Sequence, residues 1–241
     1  MVTAMIFAGG TGQRMNSKTK PKQFLELHGK SILIYTIENF EYHEEIDNIV
    51  VVCIDDWINT LWEQIRRFNI TKVSSVIPGA NTGQGSIYNG IKVVHNQSKS
   101  EEDIVLIHDG VRPFVSEKLI SDNIRSVRKY GSGITVVPAK ESIIRTDEDN
   151  NTISEVYKRN TLSIARAPQS FFVKDIWEVH NRALADGKER IIDSVELMQS
   201  YGYELHTVEC LEENIKITTA YDYYIFKAIY EAKEGSQIYG I

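Results

Sequence analysis

Residues able to handle a charged small molecule begin almost at the start of the chain. The apolar run over 2–8 ends at Ala8-Gly9-Gly10-Thr11-Gly12-Gln13-Arg14, and Lys18, Lys20 and Lys22 follow within one loop's length. Glycines let backbone amides approach a ligand without side-chain obstruction, and successive N–H groups in such a turn form a concave anion site. With Arg14 and the three lysines beside it, the combination suits a polyphosphate. It is not a P-loop, because no Gly-Lys-Ser/Thr follows, and its spacing is not that of a dinucleotide fingerprint. A tight strand-to-loop turn with solvated lysines is the plain alternative; the density of cations favours phosphate.

Asp109 leaves the end of the most apolar strand-like run, and Arg112-Pro113-Phe114 follows it. A carboxylate at a strand's end facing a phosphate loop suits Mg²⁺, a hard cation that shares oxygen ligands with substrate phosphates. The competing role is a cap for the next helix. Arg112 is a phosphate or ribose contact, or the partner that locks Asp109 in its turn. His108 reads as packed, because no nucleophile is evident for it to activate. Lys216, within Asn214-Ile215-Lys216-Ile217-Thr218, points away from the face of its flanking isoleucines, either toward a phosphate or into solvent. Arg159 has the same two options, a phosphate contact or a surface salt bridge worth little.

The elements that must position these groups alternate. Buried strands are predicted over 2–8, 49–54, 73–77, 104–107 and 133–137, and helices over 31–40 (capped by Ser31), 57–68, 86–95 and 117–130. This rhythm implies an α/β, Rossmann-like fold: a mostly parallel sheet with helices on both faces. Ligands then sit at the carboxyl ends of the strands, where the Gly9 loop, the Gly79 loop and Asp109 all fall. From 138 to 166 the rhythm breaks into short alternating segments, Ser142-Ile143-Ile144-Arg145 and 153–157, around a polar turn. We read a β-hairpin whose apolar residues need a covering surface, an arm embracing a second subunit. Helices over 173–185, 194–201 and 220–232, a strand over 203–208 and a short run over 215–217 complete a single domain of residues 1–241.

Composition sets the outer bounds. The chain has 241 residues, 42% of them hydrophobic and 25% charged, and a formal net charge of −6. That acidic balance argues against nucleic acid and makes the basic loop a site for a small anion. No apolar stretch is long enough to span a bilayer, and the first residues enter a strand without a signal-peptide pattern. Cys53 and Cys210 sit in separate strand-like runs and read as buried, reduced thiols, which suits a cytoplasm.

Ala8 through Met15 with Pro21-Lys22-Gln23, His108-Asp109 with Arg112-Pro113, Ala167-Pro168-Gln169, and Asn214 through Thr218 occur in one order. Together they resemble the cytidylyltransferases that act on polyol phosphates, methylerythritol phosphate and ribitol phosphate among them, nearly end to end. The resemblance implies a homodimer built by the β-arm and Mg²⁺-dependent transfer of CMP from CTP. It places Arg14, Lys22 and Lys216 at the reacting phosphates as catalytic cations. It places Ala8, Gly9, Gly10, Thr11, Gly12, Gly79, Ser86 and Asp109 around the nucleotide, with Asp109 holding the metal. Arg112, Ser142, Ala167 and Ile192 fall near the polyol phosphate, with Arg159 reaching it across the dimer.

Three positions depart from the family's pattern. Gly83 stands where an arginine is usual, Ala167 where threonine is common, and Ile192 where the erythritol-phosphate branch carries a polar residue. Val111 through Phe114, Lys22 through Leu25 and Ile217 through Thr219 look more like the ribitol-phosphate branch, so ribitol 5-phosphate is the expected acceptor and methylerythritol 4-phosphate the alternative. A hexose-phosphate nucleotidyltransferase would lack the hairpin. A non-catalytic nucleotide-binding relative is the remaining reading, opposed by the joint presence of Arg14, Lys22, Asp109 and Lys216.

Overall fold

A computed structural model describes residues 1–10, 20–149, 151–188 and 193–239. In chain order the strands are β1 (Val2–Ala8), β2 (Glu26–Leu27), β3 (Lys30–Ser31), β4 (Asn48–Cys53), β5 (Val73–Pro78), β6 (Ile104–Asp109), β7 (Ser132–Pro138), β8 (Ile144–Thr146), β9 (Ile153–Val156), β10 (Ser163–Phe172) and β11 (Thr207–Glu209). The helices are α1 (Ile32–Glu41), α2 (Ile58–Arg67), α3 (Gly83–Gln97), α4 (Glu117–Tyr130), α5 (Val173–Ala185), α6 (Ser194–Ser200) and α7 (Ala220–Tyr239). The main sheet runs β11-β7-β10-β6-β1-β4-β5. All its pairings are parallel except those of β10, which runs antiparallel to both β6 and β7.

Period-two alternation explains why helices cover both faces. Ala4, Ile6, Ile104 and Leu106 of the two central strands join one buried cluster with α1 and α4, while Met5, Val105 and Ile107 join the opposite cluster with α3 and α5. Local signals set the boundaries. Ser31 Oγ accepts from the Ile34 amide to start α1, and Ser116 Oγ accepts from the Leu119 amide to start α4.

The strand expected over 203–208 forms only at Thr207–Glu209, residues 215–217 join no ladder, and the last helix runs on to Tyr239. The larger departure is β10, a central strand of ten residues where the sequence suggested only the end of a hairpin. It contains Pro168, which cannot donate to a ladder; the strand tolerates it because the β10–β7 register shifts between Ala165 and Gln169. The hairpin itself is present as β8 and β9, paired with each other and apart from the main sheet.

Candidate active site

Parallel strands β1, β5 and β6 bring three loops to one edge of the sheet. The turns after β1 and β5 meet there: a side chain on Gly79 would place its Cβ 3.4 Å from the Gly9 Cα and 3.0 Å from the Ser86 hydroxyl. Only glycine at these positions permits so close a backbone approach. Ser86, in the first turn of α3, is buried, accepts from the Ala80 amide at 2.8 Å and donates to the Thr82 carbonyl at 2.9 Å. Thr82 caps the same helix by accepting from the Gly85 amide at 3.0 Å. The result is a rigid glycine-lined floor facing the amino end of a fifteen-residue helix, the polarity that favours an anion. Gly83 and Gly10 both border open space.

Gln23 fixes the other side of this floor. Its buried amide donates to the Ala8 carbonyl at 2.6 Å and to the Gly10 carbonyl at 3.2 Å. Lys22 opens the same 3₁₀ turn, Lys22–Phe24, and is half-buried. Lys20 pairs with Glu26 at 2.6 Å. Thr11, Gly12, Arg14, Lys18 and Ile192 lie outside the described residues.

Asp109 ends β6 at this edge and is the hub of a charged cluster. Its Oδ1 lies 2.6 Å from the Lys216 ammonium, and its Oδ2 accepts from Arg112 Nε at 2.8 Å. Burial pushes the carboxyl up, yet Lys216 and Arg112 together outweigh it and hold the group well below the usual carboxylate range. The helix-cap role is filled by Ser116, and Asp109 instead pairs with Lys216 and Arg112. Ile217 is fully buried and its amide donates to the Val111 carbonyl, so Lys216 is turned toward the carboxylate as its neighbours require. His108 is buried against Phe40, with Nε2 3.0 Å from the Arg112 carbonyl, and burial pushes its imidazole down to about 4. It is a packed, neutral side chain, as its surroundings in the sequence suggest.

Sequence reasoning missed two further members. Arg112 Nη1 donates to the Asn214 carbonyl at 2.9 Å, and Arg166 Nη1 donates to the same oxygen at 2.8 Å. Asn214 is buried and its side-chain amide donates to the carbonyl of Ala167 at 3.1 Å. Ala167, itself buried, precedes Pro168 through a cis peptide. Ser142 and Arg159 stand apart, exposed at the base of the arm, where Arg159 Nη1 donates to the Lys140 carbonyl at 3.0 Å.

Among the described residues no three His, Cys, Asp or Glu side chains converge on a metal position. A single ionised carboxylate fits Mg²⁺, which usually takes one or two protein carboxylates and completes its shell with water and substrate phosphates. Asp109 is the residue that would hold it.

The model of the IspD family, 2-C-methyl-D-erythritol 4-phosphate cytidylyltransferase, matches residues 2–232. The chain belongs to this family. It is a nucleotidyltransferase whose core has the Rossmann-like arrangement expected from its alternation. The chain is 49% identical over 241 residues to the ribitol-5-phosphate cytidylyltransferase of Streptococcus agalactiae serotype III, covering 100% of both chains. To the 2-C-methyl-D-erythritol 4-phosphate cytidylyltransferase of Clostridium botulinum it is 37% identical over 229 residues, 95% of this chain and 97% of that one. The fold superposes with a TM-score of 0.82 on the crystal structure of 4-diphosphocytidyl-2C-methyl-D-erythritol synthase from Anaerococcus prevotii, at 27% identity over 95% of this chain and 96% of that one.

Proposed function

We propose that this cytidylyltransferase transfers CMP from CTP to D-ribitol 5-phosphate, releasing pyrophosphate and forming CDP-ribitol. The observation that carries the acceptor is the end-to-end 49% identity to a ribitol-5-phosphate enzyme, against 37% to a methylerythritol-phosphate enzyme. In the transfer a phosphate oxygen of the polyol phosphate forms a bond to the α-phosphorus of CTP. The bond from that phosphorus to the bridging oxygen breaks, and pyrophosphate leaves with the electron pair. No covalent enzyme intermediate is needed, so the protein's work is to align two anions and stabilise the charge between them.

The residues present suit that work. The Gly9 and Gly79 turns and Ser86 seat the nucleotide, Arg14 and Lys22 stabilise its α-phosphate and the departing pyrophosphate, and Lys216 faces the reacting phosphate. Asp109 would hold Mg²⁺, which supplies charge neutralisation at the triphosphate when bound. In this reading Arg112 and Ala167 serve the acceptor, the resemblance assigns Ile192 to it as well, and Ser142 and Arg159, which stand apart at the base of the arm, would reach it from a second copy. Ile144, Ile153, Val156 and Ile164 leave an apolar surface on and beside the arm exposed, which supports a homodimer formed through residues 138–166. One functional unit spanning residues 1–241 and acting in the cytoplasm fits the two buried, unpaired cysteines; no described helix is long and apolar enough to cross a membrane.

Pyrophosphate release with CTP and Mg²⁺ tests this reading, with ribitol 5-phosphate and methylerythritol 4-phosphate offered side by side. A strong preference for ribitol 5-phosphate is expected. The reverse preference, which the family description would favour, would move the enzyme to isoprenoid precursor synthesis.

A further inference from the structure

Lys216 sits on a stretch with little of its own to hold it. Residues 210–218 form no helix and join no sheet. Their backbone is anchored to the core through the Cys210 amide on Val136 and the Ile217 amide on Val111. Between those two points the Asn214 carbonyl takes both guanidiniums, Arg112 at 2.9 Å and Arg166 at 2.8 Å. The same Arg166 nitrogen also donates to the Glu212 carbonyl at 2.8 Å.

Two guanidiniums on one oxygen repel each other, and Arg166 is partly withdrawn from water. Burial pushes its guanidinium down, with Cys210 and Glu212 opposing and Arg112 reinforcing that effect. Such a placement is unfavourable unless the charge does something in return. What it does is geometric. Arg112 holds the Asn214 carbonyl from the Asp109 side, and Arg166 holds it from the β10 side, so the backbone two residues before Lys216 is clamped between them. Arg166 also continues the chain of contacts outward. Glu212, whose carbonyl it binds, pairs through its carboxylate with Lys140, and the Lys140 carbonyl accepts from Arg159. Contacts therefore run from Asp109 through Arg112, Asn214, Arg166, Glu212 and Lys140 to the arm.

We infer that Arg166 is a positioning residue for the transfer reaction: it clamps the segment that carries Lys216 and links that segment to the base of the arm. The inference rests on Lys216 acting at the reacting phosphate. Arg166 touches no reacting atom and works through Lys216, so its loss shows in turnover more than in nucleotide binding.

The test is steady-state pyrophosphate release by full-length Arg166→Met, Lys216→Met and the double variant, with kcat and the KM for CTP separated. A displacement of about 1 Å at a reacting group is enough to lower a rate roughly 100-fold. We expect a fall in kcat of that order for Arg166→Met, little change in the KM for CTP, and a double variant no slower than Lys216→Met. Arg166→Lys keeps the charge but not the two-carbonyl reach, and its kcat is expected well below wild type. It provides the same comparison should Arg166→Met fold poorly by circular dichroism. A wild-type kcat in either Arg166 variant, or full additivity in the double variant, overturns the inference while the site assignment stands. Full turnover by Lys216→Met overturns both.

Discussion

The Lys216 ammonium lies 2.6 Å from Oδ1 of Asp109, and Arg112 Nε lies 2.8 Å from Oδ2, so each carboxylate oxygen is engaged by its own cation. Lys216 is thus a counter-ion of the carboxylate proposed to hold Mg²⁺. It is 39% exposed against 17% for Asp109, so in the proposed reaction the lysine is the partner with more room to turn toward a phosphate.

That relationship separates two effects of Asp109→Asn, which keeps the shape and removes the charge. Turnover is expected to fall by about 100-fold or more, the scale of losing one preorganised electrostatic contact. Metal-free binding of CTP should hold or tighten, because Lys216 and Arg112 lose the competing carboxylate. Titration calorimetry with and without Mg²⁺, alongside the rate, reads both. A near-wild-type rate would remove Asp109 from the site.

The glycine floor makes its own prediction. A methyl at Gly79 would stand 3.0 Å from the Ser86 hydroxyl and 3.4 Å from the Gly9 Cα, tighter than ordinary contact. Gly79→Ala should therefore raise the KM for CTP several-fold with a smaller effect on kcat. Ser86→Ala removes the hydrogen bond from the Ala80 amide, and because Ala80 is exposed and water can take that amide, the loss should be about 0.5–1.5 kcal/mol by thermal or denaturant unfolding. An unchanged KM in Gly79→Ala would mean that the nucleotide does not rest on this floor.

Much of this site could be read in advance, for identifiable reasons. Helix α4 matches its expected span because Ser116, the apolar spacing of Leu119, Ile120, Ile124 and Val127, and Gly131 at φ 84° all act locally. The edge of the sheet was equally legible, since Gly9, Gly79 and Asp109 each follow an apolar run. Strand β10 was hidden because Pro168 breaks the local pattern, and only the register shift against β7 reconciles the two. Asp109 and Lys216 could each be singled out, but nothing local marks their contact. Arg166 and Asn214 were invisible as partners for the same reason: side-chain to backbone bonds across distant segments leave no periodic trace.

The arm supports a prediction about assembly. Ile153 and Val156 of β9 are 60% and 66% exposed, on a hairpin apart from the main sheet. Such a surface gains by association. Replacing both by aspartate should shift sedimentation equilibrium from dimer to monomer. It should also lower turnover, because Arg159 would no longer reach a neighbour's acceptor site. A wild-type protein that sediments as a monomer at assay concentration would sink the assembly and the shared site together.

Acid stability should be governed by buried imidazoles. His180 is 2% exposed with Nε2 unpartnered, and burial pushes its imidazole down to about 4; His108 is held at a similar value. Both groups protonate more readily in the unfolded chain, near 6.5. Their neutral forms therefore contribute stability that is fully present above about 6.5 and is lost as pH falls toward about 4. Urea unfolding at stepped pH should show midpoints dropping across that interval. His180→Leu, which cannot protonate and keeps an apolar side chain in the packed face of α5, should flatten part of the drop. An unchanged slope in that variant would place the acid sensitivity elsewhere.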